Sequence, residues 1–195
     1  MTRHLPEAER RTQILRAARR VFVEQGFGAA RMQDVARAAG LSKGAVYFYF
    51  DSKRALLRAL VAEEHAATLG ILEDSDAALP PAARLLALGQ RYLDYFADLS
   101  GAPRFFLLMS EQSIRDEELR ALVVAMHQRY LTRIEAVIAA GVACGDFRDV
   151  NPAAVALLLK AVMDGLAGQA AMGEAPDAAL LREDGIGVIL NGLLP

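Results

Sequence analysis

The sequence predicts an all-α fold. Apolar residues recur at helical spacing along almost the whole chain, and no stretch sustains the period-two alternation of a half-buried strand. Helix-stopping or helix-starting residues (Gly26, the Pro80-Pro81 pair, Asn151-Pro152) separate the periodic runs. The 195 residues are 54% hydrophobic and 24% charged with 7 prolines, which allows a sizeable core and excludes a disordered, collagen-like or proline-rich chain. The single Cys144 makes neither an intrachain disulfide nor a cysteine-built zinc site, so a reducing, cytoplasmic setting is expected. The opening MTRHLPEAERR lacks an apolar stretch of the signal-peptide kind, and the run Ala153 to Leu159 is stopped by Lys160 and Asp164. Neither secretion nor membrane insertion is expected.

The first helix is predicted over about Pro6 to Gln25, with Ile14, Leu15, Ala18, Val21 and Phe22 on one face and Arg10, Arg11, Arg16, Arg19 and Arg20 largely outside it. Gly26 is its stop. Short helices follow over roughly Arg31 to Ala39 and Lys43 to Phe50, and a fourth begins at Asp51 or Ser52, either of which can cap it, with Leu56, Leu57, Leu60 and Val61 inward. The polar stretch Glu73 to Pro81 is a connection into a helix starting at Pro80-Pro81, and a break falls at Ser100 to Pro103. A short helix over Arg104 to Ser113 and a longer one over about Asp116 to Ala140 come next, then an interruption from Gly141 to Asn151. Asn151 caps a helix opened by Pro152 and running to about Met172, apolar on nearly all sides and so expected to be covered on several faces. The last helix, about Asp177 to Leu194, carries Gly185, Gly187 and Gly192, which permit close backbone approach.

Ala36, Gly40 and Val46 satisfy the packing rules of a helix-turn-helix: a small residue midway along the first helix, a residue free to take positive φ in the turn, and a branched apolar residue on the second helix. Val35, Ala39 and Leu41 supply the buried side, and Ser42 caps the second helix. Around that helix lie Lys43, Tyr47, Tyr49 and Lys53, with Gly44 leaving backbone amides uncovered; cations, phenols and exposed N–H groups are donors suited to phosphate oxygens. Tyr47 and Tyr49 cannot both face the same way on a helix, and either, Tyr47 next to Val46 among them, also suits packing into the three-helix core.

Charge is distributed to match. The chain as a whole carries −2, yet residues 1–60 hold 12 Lys/Arg against 5 Asp/Glu and the remainder 10 against 19. A basic segment joined to an acidic one fits a protein that neutralises phosphates at one end, although on charge alone a solvated basic face serves equally well.

The stretch GLSKGAVYFYFDSKRALLRAL, Gly40 to Leu60, resembles the DNA-binding domain of TetR-family (TetR/AcrR) transcriptional regulators, and the likeness extends back through QGFGAARMQDVARAA and the first helix. The rest matches in length, helical character and the NPAAVALLLKAVMDGL type of penultimate helix. The resemblance implies a helix-turn-helix DNA-binding domain over residues 1–50 and a helical ligand-binding and dimerisation domain over 51–195, linked by a helix from about 51 to 72. By motif position it gives Lys43, Gly44, Tyr47, Tyr49 and Lys53 the DNA-contact roles, with Ala45 and Phe48 facing base edges. Ala30 stands where a capping Thr is common, so Arg31 is the replacement contact, and Arg54 stands where an acidic residue is frequent.

The implied function is a repressor that binds a palindromic double-stranded DNA operator as a homodimer through its last two helices and is released by a small apolar or aromatic effector. Tyr92, Tyr95, Phe96, Phe105, Phe106, Met109, Met126, His127, Tyr130 and Met163 are the large or adaptable side chains placed to line the effector cavity, although such residues also fill ordinary cores. His127 is expected either to present a polar group in the cavity or to be bonded within the core. Histidines at 4, 65 and 127 are too scattered for a metal site, and no cofactor is expected. No nucleophile with a base, phosphate loop or carboxylate pair suggests an enzyme.

Overall fold

The structure is a computed structural model that describes residues 6–72, 78–97, 101–173 and 177–194; within these, the side chains of 68–72, 96, 97, 178, 182, 183, 186 and 190 are not described. The order is α1 (Glu7–Gln25), α2 (Met32–Ala39), α3 (Lys43–Tyr49), α4 (Lys53–Leu72), α5 (Pro81–Ala97), α6 (Ala102–Ser113), α7 (Glu117–Cys144), α8 (Pro152–Ala171) and α9 (Ala178–Leu180), followed by a π-helical turn (Leu181–Gly185) and α10 (Ile186–Leu193). The described residues are predominantly helical with no strand among them, as the periodicity predicts.

α1, α2 and α3 form a small head around Ile14, Leu15, Ala18, Val21, Phe22, Val35, Ala36, Val46 and Phe50, all buried. Burying Val46 and Phe50 contributes on the order of 1.5–3 kcal/mol each, which fixes α3 on the head by its inner edge. The turn between α2 and α3 depends on Gly40 at φ 66°, whose N–H donates to Arg37 O, while the N–H of Leu41 donates to Ala36 O at 2.9 Å. This closure needs a left-handed residue, which costs any side chain but glycine about 1–2 kcal/mol. Ser52 rather than Asp51 caps α4, its hydroxyl accepting from the N–H of Ala55 at 3.1 Å.

α4 leaves the head through buried Leu56, Leu57, Leu60 and Val61 and packs on both α1 and α7. α7 and α8 form the most extensive helix pair, with α6 against both and α5 against α7.

Three elements differ from the sequence expectation. α7 runs through Gly141 to Cys144 because Gly141 is a packing glycine, not a break: a Cβ there would lie 2.1 Å from the ring of Phe147. The predicted single terminal helix is divided by the π-turn, where Gly185 approaches Leu181. On α8 the covered side is Ala156, Lys160 and Ala167, while Leu157, Leu158 and Val162 lie 61%, 66% and 43% exposed. The expectation that α8 is covered on several faces is therefore not met within one chain. By length and mean hydropathy α8 alone among the described helices is apolar enough to cross a membrane.

Candidate functional site

The outer face of α3 is built by its cap and its anchors. Ser42 Oγ accepts from the N–H of Ala45 at 3.1 Å, which sets the helix start, and Val46 and Phe50 hold the inner side. Lys43 and Gly44 are exposed, Tyr47 is 41% exposed and Phe48 81%, whereas Tyr49 is half-buried against the head core. Tyr47 therefore does not join the head core. The Lys43 ammonium sits 5.6 Å over the Tyr47 ring, and Phe48 meets Tyr49 edge to face at 5.2 Å. Arg10, Gly40, Leu41, Ser42, Ala45, Phe48 and Tyr49 together line an open groove along this face.

Arg31 is exposed at the start of α2, its N–H donating to Asp34 Oδ2 at 3.1 Å. Lys53 is placed differently from the other cations. Its Nζ donates to the carbonyls of Phe27, Gly28 and Ala30 and lies 4.5 Å over the Phe27 ring, and burial lowers its pKa. Contact with phosphate would have to exchange one of these bonds.

The α1 arginines divide likewise. Arg11, Arg16 and Arg20 are all exposed, with Arg11 4.4 Å over Phe50 and Arg20 donating to Ala38 O at 3.1 Å. Arg19 turns away from the head: its guanidinium donates to Glu64 Oε2 at 2.9 Å and covers the Phe105 ring at 4.7 Å. One step towards the head along α4, Arg58 grips both oxygens of Asp116 at 3.1 Å and pairs with Glu118. Asp116 caps α7 through Leu119 N, and that bond, ahead of Arg58, lowers the Asp116 pKa against a smaller opposing effect of burial. Sequence reasoning did not single out Glu64, Arg58 or Asp116 as paired groups.

Two cavities lie beyond α4. The larger, about 250 Å³, is walled by leucines of α5 and α8 with Ile134, Met163, Leu181 and Ile189. The smaller, about 20 Å³, is enclosed by Glu64, Tyr95, Met109, Met126, His127, Tyr130, Phe106 and Lys160. Tyr92 borders both. Of the predicted lining residues, Tyr92 and Met163 reach the larger cavity, and Tyr92, Tyr95, Phe106, Met109, Met126, His127 and Tyr130 the smaller. Phe105 reaches neither, because it is wholly buried beneath Arg19 where α1 meets α6. The Phe96 side chain lies outside the described residues.

The small cavity holds paired charges. Tyr95 donates to Glu64, Lys160 donates to Asp164, and Tyr92 donates to Asp164 at 3.5 Å. Burial, ahead of these carboxylates, pushes both phenols well above their usual range. His127 stacks on Phe106, its Nε2 is buried without a hydrogen-bond partner, and burial followed by the Lys160 charge lowers its pKa while Asp164 opposes. No group of residues able to hold a metal occurs among those described.

Residues 14–60 match the model for bacterial regulatory proteins of the tetR family, and residues 81–184 match that for the C-terminal part of BetI-type transcriptional repressors. The chain belongs to the TetR family. Members of this family are DNA-binding transcriptional regulators of a ligand-responsive kind. The regulator YfiR of Bacillus subtilis is 28% identical over 153 residues, 75% of this chain and 72% of that protein. UidR of Escherichia coli is 41% identical over 54 residues, and the match spans only 28% of either protein. Among solved structures, a putative transcriptional regulator from Saccharomonospora viridis in complex with choline superimposes with TM-score 0.86 at 22% identity, covering 97% of this chain and all of that one. A TetR regulator from Haloarcula marismortui does so with TM-score 0.81 at 24% identity over 96% of this chain and all of that one. At these identities the structural likeness extends to the fold.

Proposed function

We propose that this regulator is a cytoplasmic homodimeric repressor whose two α3 helices enter successive major grooves of a palindromic operator. The observation that carries the reading is Phe48, 81% exposed on a helix whose other edge is locked by Val46 and Phe50. Within the chain Phe48 gains only its edge contact with Tyr49, whereas base edges in a major groove offer it further apolar partners. Ala45 and Phe48 face base edges in this reading. Lys43, Tyr47, Tyr49, Arg31 and the uncovered amides at Ser42 and Gly44 serve phosphates. Lys53 acts with them through its charge and by holding the α1–α2 loop, and so Arg31, against the start of α4.

Residues 1–50 act as the reading head and 51–195 as the ligand-binding and dimerisation domain. The second copy covers Leu157, Leu158 and Val162 of α8 together with Val188 of α10, which are exposed in the single chain. A small apolar or aromatic effector enters the cavity of about 250 Å³ bordered by Tyr92 and Met163 and shifts the heads through α4. Coupling between the sites of about 1–3 kcal/mol is typical of such linkage.

Hydroxyl-radical footprinting on a duplex selected by the protein from a random pool tests this. Two protected patches about 34–36 Å apart on one face of the duplex are expected, and they should disappear when the effector is added. A single patch, or protection indifferent to every cavity ligand, would contradict it.

A further inference from the structure

We propose that the effector is an apolar molecule bearing one uncharged hydroxyl, an alcohol or a phenol, whose body fills the larger cavity while its hydroxyl passes the Tyr92 ring into the small one. The proposal rests on the ligand-released reading above and adds the chemical class of the ligand. The larger cavity supplies the apolar half: its leucines, Ile134, Met163 and Ile189 take any hydrocarbon of suitable size.

The small cavity supplies the polar half. Its volume of about 20 Å³ suits one oxygen-sized group, since a single water needs roughly 10–15 Å³ on this measure. Most polar atoms around it are already matched. Glu64 accepts from Arg19 and from Tyr95, and Asp164 accepts from Lys160 and Tyr92, so each buried charge faces an opposite one and no net charge remains to draw an ion. What remains is the unpartnered Nε2 of His127 and the further N–H donors of Lys160. A hydroxyl oxygen can accept from Lys160 and donate to a neutral imidazole, so one group completes both. Burial and the neighbouring ammonium keep His127 neutral, consistent with an acceptor there.

Two other head groups fit less well. A quaternary ammonium exceeds the void and meets the Lys160 ammonium, itself 5.6 Å from the Tyr130 ring where a ligand cation would sit. A carboxylate brings three heavy atoms and a third negative charge beside Glu64 and Asp164. Tyr92 and Tyr95 lie one turn apart on α5, so displacement of the first ring adjoins the Tyr95–Glu64–Arg19 chain that ends on α1.

Isothermal titration calorimetry on the full chain tests the class, with 4-hexylphenol, 4-hexylanisole, hexylbenzene and hexyltrimethylammonium as probes. The wild type should bind the phenol about tenfold or more tightly than the ether or the hydrocarbon, because a site built for a hydroxyl leaves its own polar groups unpaired without one. His127→Phe should bring phenol and ether within about twofold of each other, and His127→Gln, which keeps a donor and an acceptor, should retain most of the preference. Equal affinity for phenol and ether, a preference that survives His127→Phe, tighter binding of the ammonium, or binding of none of the four would overturn the proposal. Binding is read without DNA, so a phenol that binds as described yet leaves DNA affinity unchanged supports the ligand class and refutes only the release mechanism.

Discussion

Arg19 on α1 and Glu64 on α4 form an ion pair of 2.9 Å in which the carboxylate is 4% exposed, and Tyr95 on α5 donates to the same carboxylate. Three helices are thus joined at one buried charge, which links the head to the small cavity. Arg19→Met leaves that carboxylate uncompensated and should lower stability by about 2–3 kcal/mol, less than for a fully buried pair because the Arg19 side chain is 27% exposed. Urea unfolding of the single variant and of Arg19→Met with Glu64→Gln checks this. The double variant should recover part of the loss, and equal losses would show that the pair is not coupled.

Asp116 gives the protein an acid-sensitive joint between α4 and α7. Its carboxyl is held below the usual range by the cap to Leu119 and by Arg58. A pKa lower in the folded than in the unfolded state contributes stability that is present above the unfolded value, about 3.9, and is lost as pH falls through the folded one. Asp116→Asn should therefore flatten the stability profile below about pH 4. Its cost at neutral pH should stay below about 1 kcal/mol, because asparagine keeps the cap and only the charge facing the partly exposed Arg58 is lost. An unchanged acid limb in thermal unfolding against pH would contradict the assignment.

Gly141 lies inside α7, where helix propensity alone favours alanine by about 1 kcal/mol. Contact with the Phe147 ring reverses that sign, and Gly141→Ala should destabilise by about 1–3 kcal/mol. Adding Phe147→Leu should make the alanine less costly than it is in the wild-type background, as read by chemical unfolding.

Leu158 is 66% exposed on α8, so Leu158→Glu should leave the fold of one chain intact. It should nevertheless separate the proposed dimer, by placing like charges face to face across an apolar contact. Sedimentation velocity should show dimer for the wild type and monomer for the variant, with a parallel loss of DNA affinity. A variant that stays dimeric would move the interface elsewhere.

The helices were legible in the sequence wherever periodicity and punctuation agreed. Ser42 and Asn151 are caps in the structure as expected, and Ala36, Gly40 and Val46 meet as the turn requires. Gly141 was misread because glycine as a stop and glycine as a packing contact look alike until the partner, Phe147, is known. The buried ion pairs were missed for a different reason. Glu64 follows Leu57, Leu60 and Val61 at spacings that keep it on the buried face of α4, and Lys160 follows Ala156 by one turn on α8. Helical phase therefore marked both as inward charges. Phase also offers Lys160 its partner, Asp164, one turn on, but it cannot give the partner of Glu64, since Arg19 lies 45 residues away in the chain.

The outward face of α3 as the DNA-reading surface is tested most directly by fluorescence anisotropy with a selected operator duplex. Wild-type affinity should fall steeply as salt rises, because phosphate contacts release counterions. Lys43→Ala with Tyr47→Ala should weaken binding about tenfold or more and flatten the salt slope, and Phe48→Ala should reduce discrimination between operator and random DNA with less change in that slope. Operator affinity, salt slope and discrimination all unchanged in these variants would place the reading surface elsewhere on the molecule.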